Sequence, residues 1–132
     1  MDPRGGNYGQ QARPFAPRAV IDGVALTEAQ EQLAWAVLGA VLVAGLLPYS
    51  IEAAADGEET GGALVPEGHG ALRVVWQQDP AAARHLPVGL RDAQQAAMNQ
   101  ALRTILSAHR FWIADGPLGE APLILGLTRP DG

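Results

Sequence analysis

The uncharged stretch "QLAWAVLGAVLVAGLLPYS", residues 32–50, decides which of two architectures the chain can have. Its apolar run from Leu33 to Leu47 contains 15 residues, which form a helix roughly 22 Å long at about 1.5 Å per residue. One interpretation is a single-span membrane anchor over residues 32–51, but the hydrocarbon core of a bilayer is about 30 Å thick. Because the run is short for a span, it favours a helix buried inside a protein.

The residues on either side of the run predict where this helix begins and ends. Thr27 followed by Gln30 is a capping-box pattern, and acidic residues in the first turn favour the positive end of the helix dipole. Gly45 is a common C-terminal stop, and Pro48 cannot continue a helix. We therefore expect a helix from Thr27 to Gly45.

Composition predicts one domain without disulfides. A chain of 132 residues can bury one hydrophobic core, and 48% apolar against 17% charged residues is typical of a globular protein. The sequence has no cysteine, which excludes disulfide scaffolds and thiolate catalysis. A net charge of −5 argues against a nucleic-acid partner. We expect a cytoplasmic protein with no membrane partner.

Residues 1–25 are expected to be a disordered tail. They are rich in Pro, Gly, Gln and Arg and have no apolar periodicity, so they cannot bury enough surface to offset the entropy of ordering. No apolar segment of a signal peptide follows their arginines before the helix begins. A single α+β domain is therefore predicted over residues 26–129.

Alternation of apolar and polar residues predicts a first hairpin after this helix. The segments "YSIEAA" (residues 49–54) and "ALRVVWQ" (residues 71–77) both alternate as half-buried strands do. Residues 56–70 lie between them and are rich in Gly and acidic residues. We expect these residues to be a flexible connection.

A second helix and a second hairpin follow. Residues 89–110 have the periodicity of an amphipathic helix, with Met98, Leu102 and Ile105 towards the core. The segments "FWIAD" and "LILGLT" flank a turn-rich stretch and predict two strands. The chain therefore alternates helix and hairpin twice.

This repeated order predicts the fold. With a constant offset of 64 residues, the first helix can be aligned with the second, so that Leu38 matches Leu102. We predict an α+β fold in which two αββ units form a four-stranded antiparallel sheet with two helices on one face. The order of elements, the acidity and the size are similar to those of type III secretion chaperones, a likeness of architecture alone.

Strand alternation divides the sheet residues between two faces. The residues expected to face the helices are Leu72, Val74, Trp76, Leu123, Leu125 and Leu127. The residues expected to point outward and to bind a partner are Arg73, Val75, Trp112 and Ile124. Trp and Arg are enriched in binding hot spots, so this mixed patch is a candidate partner surface.

The repeat also predicts self-association. The polar side of the second helix, which includes Asn99 and Arg103, corresponds to an apolar stripe on the first helix. That stripe consists of Trp35, Gly39, Val43 and Leu46. An apolar stripe on a water-facing side must be covered, and a two-fold interface is self-complementary. We therefore expect a homodimer built on this stripe.

No residue pattern predicts catalysis, a metal site or a cofactor. The three histidines, His69, His85 and His109, lack the spacing of a helical metal site. We expect a non-enzymatic protein-protein interaction module, such as an adaptor, a chaperone-like protein or a regulatory subunit. The alternative is a nucleic-acid-binding regulatory protein that uses the tail and Arg73, Arg84, Arg91, Arg103 and Arg110.

Overall fold

The computed structural model describes residues 17–21, 24–50, 60–78 and 84–129. Within these ranges the elements are α1 (Glu28–Val43), β1 (Gly61–Pro66), β2 (Leu72–Gln77), α2 (Val88–Ala108), β3 (Trp112–Ile113) and β4 (Leu123–Gly126). The strands form one antiparallel sheet in the order β1-β2-β4-β3, and both helices pack against one face of it. The predicted α+β class is confirmed, and the order is consistent with two αββ units.

The predicted beginning and end of α1 are both confirmed. The Thr27 hydroxyl accepts a hydrogen bond from the Gln30 backbone N–H at 3.2 Å, and the Thr27 N–H donates to Gln30 Oε1 at 3.0 Å, which completes a capping box. After the last helical turn, Gly45 adopts a left-handed conformation with φ 84°. Among the described residues, no helix is long and apolar enough to cross a bilayer.

The first strand lies in a different segment from the one predicted. Tyr49 and Ser50 are outside any strand, and the rest of "YSIEAA" falls outside the described residues. Strand β1 forms within residues 56–70, which were expected to be a flexible connection. Gly61 explains the difference, because a Cβ there would lie 2.6 Å from the backbone N of Tyr49. The glycines therefore permit close approach of two backbones and do not mark a loop.

The N-terminal boundary of the domain also differs from the prediction. Ala19 and Val20 are fully buried in the core, and the Ile21 N–H donates to the Leu64 carbonyl at 3.1 Å. These residues run along the outer edge of β1, so the prediction of a tail through residue 25 is wrong for this segment. The remainder of the predicted tail, residues 1–16 and 22–23, lies outside the described ranges.

The register of β4 reverses its predicted orientation. Ile124 pairs with Leu72 and is fully buried, so the expectation that Ile124 points outward is wrong. Leu123 pairs with Arg73 on the opposite face, and Leu127 is 38% exposed. Both phases of this segment contain apolar side chains, Leu123 and Leu125 in one and Ile124 in the other, and the pairing with β2 selects the face that is buried.

The side of α2 that faces the core also differs from the predicted side. Its buried residues are Asn99, Leu102 and Leu106, whereas Met98 and Ile105 are half-buried. The interior of the domain therefore accepts a polar side chain on this helix. This is possible because the Asn99 amide finds a backbone partner, as described below.

Both helices end in the same hydrogen-bonded motif, which fixes the correspondence between them. Gly45 and Arg110 are each left-handed, with φ 84° and 66°. The Leu46 N–H, which follows Gly45, donates to the Val41 carbonyl at 3.0 Å, and the Phe111 N–H, which follows Arg110, donates to the Leu106 carbonyl at 3.2 Å. Both hydrogen bonds are those of a Schellman motif. Gly45 and Arg110 are therefore equivalent, and their separation, 110 − 45 = 65 residues, is one more than the predicted offset of 64.

A candidate binding groove beside the first helix

The stripe predicted for self-association is not a continuous exposed surface. Gly39 is buried, Trp35 and Leu46 are half-buried against the core, and Val43 is 46% exposed. The expectation that the whole stripe faces water is therefore wrong. The exposed apolar surface at this end of α1 consists of Val43 and Leu47, which is 71% exposed.

The stripe on α1 was expected to face water because the side of α2 aligned with it is polar and was assumed to be exposed to solvent. Asn99 is 6% exposed, and its Nδ2 donates to the Gly119 carbonyl at 3.0 Å. Arg103 is half-buried, and its guanidinium donates to the Ala114 carbonyl at 3.1 Å. The connection between β3 and β4 packs over this side of α2, so a polar residue there does not indicate a solvent-exposed position.

The four residues predicted to bind a partner have different environments. Ile124 is buried, while Arg73, Val75 and Trp112 are half-buried. The Arg73 guanidinium donates to the Glu67 carboxylate at 3.3 Å and to the Ala121 carbonyl at 2.9 Å. Arg73 thus joins β2 to two neighbouring segments, which gives it a structural role independent of any partner.

The histidines stand in three separate segments. His69 lies in the turn between β1 and β2, His85 in the turn before α2, and His109 at the C-cap of α2. In the part of the chain that the structure describes, no three His, Asp or Glu side chains are grouped as metal ligands would be. The arginines of the nucleic-acid alternative are likewise divided among β2, α2 and the turns that flank α2.

A groove that the sequence analysis missed lies between α1, the β1–β2 turn and the end of β4. Its volume is about 320 Å³. We call it the α1–β4 groove. The lining residues are Ala29, Gln32, Leu33, His69, Gly70 and residues 125–128. The volume is at the lower end of the range of about 300–1,000 Å³ that is usual for ligand sites.

Gln30 fixes one wall of this groove to another. Its side chain is 5% exposed, and its Nε2 donates to the carbonyls of Glu67 and Ala71, each at 3.1 Å. Its Oε1 accepts the Thr27 N–H of the capping box. The side-chain amide therefore uses both donor hydrogens and its oxygen, and it holds the β1–β2 turn against the first turn of α1.

The backbone of that turn is left-handed at two successive residues. His69 has φ 62° and ψ 29°, and Gly70 has φ 77°. For a residue with a Cβ this conformation costs about 1–2 kcal/mol, so the surrounding contacts must enforce it. The two hydrogen bonds from Gln30 flank His69 and supply such a constraint. The turn presents the His69 side chain at the groove.

The groove combines an apolar interior with a polar margin. Leu33 is buried and Leu125 half-buried, while Gln32, His69 and Thr128 add an amide, an imidazole and a hydroxyl. This composition suits recognition of an apolar group that carries one polar atom.

One signal in the sequence points to the groove. Gly126 lies within the apolar segment "LILGLT", and a glycine inside a strand often marks the close approach of a ligand or another backbone. A Cβ on Gly126 would lie 3.4 Å from Cε3 of Trp112. Gly126 is therefore covered by the Trp112 indole of the paired strand β3, and Gly126 itself lines the groove.

No protein-family model matches this chain, and neither a curated protein nor a solved structure is significantly similar to it.

Proposed function

We propose that the chain is a non-enzymatic protein-interaction module and that the α1–β4 groove is its binding site. The observation that carries the proposal is an apolar groove of about 320 Å³ whose walls are joined by the Gln30 side chain. A site that is already in its binding geometry loses less conformational entropy on association, which favours affinity. The exposed Leu127 at its margin adds apolar contact area for a partner.

The expected partner is a protein segment that inserts one apolar side chain. A cavity of this size accommodates a single large side chain with part of its backbone, and it is too small for a folded surface. An adaptor, a chaperone-like protein or a regulatory subunit would each use such a site. The partner is therefore expected to bind through a short peptide.

Self-association through the exposed end of α1 is part of this proposal. Val43 and Leu47 are 46% and 71% exposed, and they lie after the part of the stripe that is buried in the domain. Two copies related by a two-fold axis would bring identical apolar residues together. This contact is smaller than the one expected from the whole stripe.

Selection from a library of random peptides displayed on phage tests the main proposal. Ala29 is an exposed residue of α1 that lines the groove, so Ala29→Trp places an indole at its entrance. Ala93→Trp is the matched control, because Ala93 is exposed on α2 and is not among the lining residues. We expect selected peptides to bind the wild-type chain and the control and to lose binding to Ala29→Trp. Failure to select any peptide, or equal binding to both variants, contradicts the proposal.

A further inference from the structure

Acidic and basic residues are separated along the first part of the chain. Residues 19–72 contain eight acidic residues and no lysine or arginine. The segment before them, residues 1–18, contains three arginines and one acidic residue. The two parts therefore have opposite net charge, which favours a contact between them.

The α1–β4 groove has acidic side chains at its margin. Glu28 and Glu31 are exposed in the first turn of α1, beside the lining residues Ala29 and Gln32. Helix α1 contains no basic residue. The exposed Arg129 follows the lining residues at the end of β4. A ligand of the groove therefore meets negative charge along α1, and opposite charges across an interface raise the association rate and improve specificity.

Two aromatic side chains of this chain are not part of the packed domain that the structure describes. The other five are buried or half-buried there, namely Trp35, Tyr49, Trp76, Phe111 and Trp112. The two are Tyr8 and Phe15, which belong to residues 1–16. Tyr8 stands between Arg4 and Arg13 in the sequence. An aromatic ring flanked by arginines complements an apolar groove with an acidic margin.

Chain length decides which of these two rings can reach the groove. Residues 17–21 run along the outer edge of β1, and the groove borders β4, which is two strands further across the sheet. With about 4.8 Å between neighbouring strands, Pro17 is at least about 14 Å from the groove. Phe15 is two residues before Pro17, which spans at most about 7 Å, whereas Tyr8 is nine residues before it, which spans at most about 30 Å. Tyr8 is therefore the ring that can reach the groove.

We propose that Tyr8 of the same chain occupies the α1–β4 groove, with Arg4 and Arg13 beside the acidic margin of α1, and that a partner peptide must displace it. This inference rests on the proposed function, because it names the segment that competes with the partner for the same site. The charge separation and the reach of residues 1–16 are the observations that identify the occupant.

The composition of the groove suits a tyrosine. Leu33 and Leu125 supply apolar surface, and Gln32 and Thr128 supply polar side-chain groups. A phenol is an apolar ring that carries one polar atom, and that atom both donates and accepts hydrogen bonds. Because Tyr8 is attached to the domain, its effective concentration at the groove is of the order of millimolar. Even a weak contact therefore competes with a partner and lowers the apparent affinity of that partner.

Nuclear Overhauser effects within the isotope-labelled full chain test whether Tyr8 lies in the groove. We expect contacts from the ring protons of Tyr8 to the methyl groups of Leu33, Leu125 and Leu127, and these contacts should persist on dilution. They should disappear in Ala29→Trp and remain in Ala93→Trp, with melting temperatures close to that of the wild type for both. The inference is overturned if Tyr8 makes no such contacts, if they persist in Ala29→Trp, or if dilution removes them, because they would then join two copies.

Substitutions in residues 1–16 of the full chain measure the competition. A library-selected peptide should bind Tyr8→Ala at least about threefold more tightly than the wild type. Phe15→Ala is the matched control and should leave the affinity unchanged. The double variant Arg4→Glu and Arg13→Glu should also bind the peptide more tightly than the wild type at low salt, and this gain should shrink at high salt.

The outcomes separate this inference from the proposed function. Equal affinities of the selected peptide for the wild type and Tyr8→Ala would overturn the inference and leave the proposed function intact. A gain in Phe15→Ala without one in Tyr8→Ala would also overturn it. If no peptide is selected at all, the proposed function fails, and the Overhauser contacts of Tyr8 alone decide whether this residue occupies the groove.

Discussion

Gln30 of α1 and Gln95 of α2 are equivalent residues, and each donates from Nε2 to a backbone carbonyl beside the sheet. Gln30 bonds to Ala71 at 3.1 Å, and Gln95 bonds to Trp76 at 2.8 Å. Gln95 extends its contact through Gln78, whose Nε2 donates to the Gln95 Oε1 at 2.9 Å. The buried amide of Gln30 thus attaches the first turn of α1 to the sheet, and the half-buried amide of Gln95 attaches α2 to it two turns after that helix begins.

The substitution Gln30→Met tests the role of the first amide. Methionine keeps the length of the side chain but removes the amide that donates to the carbonyls of Glu67 and Ala71, and only the Ala71 carbonyl keeps a second bond, from the Glu67 N–H at 2.9 Å. We expect the free energy of unfolding to fall by about 2–3 kcal/mol, because buried carbonyls would lose hydrogen bonds. Urea denaturation measures the loss. Gln94→Met on the exposed side of α2 is the control and should change stability by less than about 0.5 kcal/mol. Equal effects of the two substitutions would show that the Gln30 hydrogen bonds are dispensable.

Arg110→Gly should stabilise the domain. Arg110 occupies the left-handed position of the Schellman motif that ends α2, where Gly45 stands at the end of α1. Relief of the left-handed penalty is expected to raise the free energy of unfolding by about 1 kcal/mol, which a higher melting temperature would report. The reverse change, Gly45→Arg, should lower stability by a similar amount. A lower melting temperature for Arg110→Gly would contradict this interpretation of the motif.

Gly61 and Gly89 should respond to alanine with opposite signs. A Cβ on Gly61 would lie 2.7 Å from the Pro48 carbonyl carbon, and the residue has φ 147°, so Gly61→Ala should lower the free energy of unfolding by more than about 2 kcal/mol. Gly89 has open space around it in the first turn of α2, so Gly89→Ala should raise stability by up to about 1 kcal/mol. Thermal denaturation of both variants measures the contrast. Similar small changes would show that β1 can move away from residues 48–49 without loss.

Local signals in the sequence were sufficient for the helices. The capping box of α1 involves Thr27 and Gln30, which are three residues apart, and the stop at Gly45 requires one glycine. These capping interactions join residues that are close together in the sequence, so the sequence pattern alone is enough to predict them. The α+β class followed from the order of these elements.

Long-range contacts explain what the sequence did not predict. The Gly pair that begins β1 has the composition of a loop, and it belongs to a strand because it pairs with Trp76 and Gln77 of β2 and is approached by residues 47–49 on its other side. The buried face of β4 depends on its register with β2, because apolar residues stand in both phases of this segment, Leu123 and Leu125 in one and Ile124 in the other. Asn99 was assigned to the solvent side because its partner, the Gly119 carbonyl, is 20 residues away in the chain. The groove was missed because its lining residues come from α1, the β1–β2 turn and the end of β4, which are far apart in the sequence.

Glutamate at both exposed positions at the end of α1, Val43→Glu together with Leu47→Glu, should reduce self-association if this end of the helix forms the contact. Val43 is 46% and Leu47 71% exposed, and charges at these positions would lie close to their copies across a two-fold axis, where like charges repel. We expect multi-angle light scattering to show a smaller apparent mass for the double variant Val43→Glu and Leu47→Glu than for the wild type. The control is Leu118→Glu in the β3–β4 connection, which is 62% exposed. An unchanged mass for the double variant would remove α1 from any self-association.

Intermolecular nuclear Overhauser effects from a library-selected peptide to methyl groups of the protein test the central claim most directly. The account predicts contacts from the side-chain protons of the peptide to the methyl groups of Leu33, Leu125 and Leu127, the leucines of the α1–β4 groove. Contacts should disappear in Ala29→Trp and remain in Ala93→Trp. Contacts only to methyl groups outside the groove, such as those of Val43 and Leu47, would contradict the claim that this groove is the binding site.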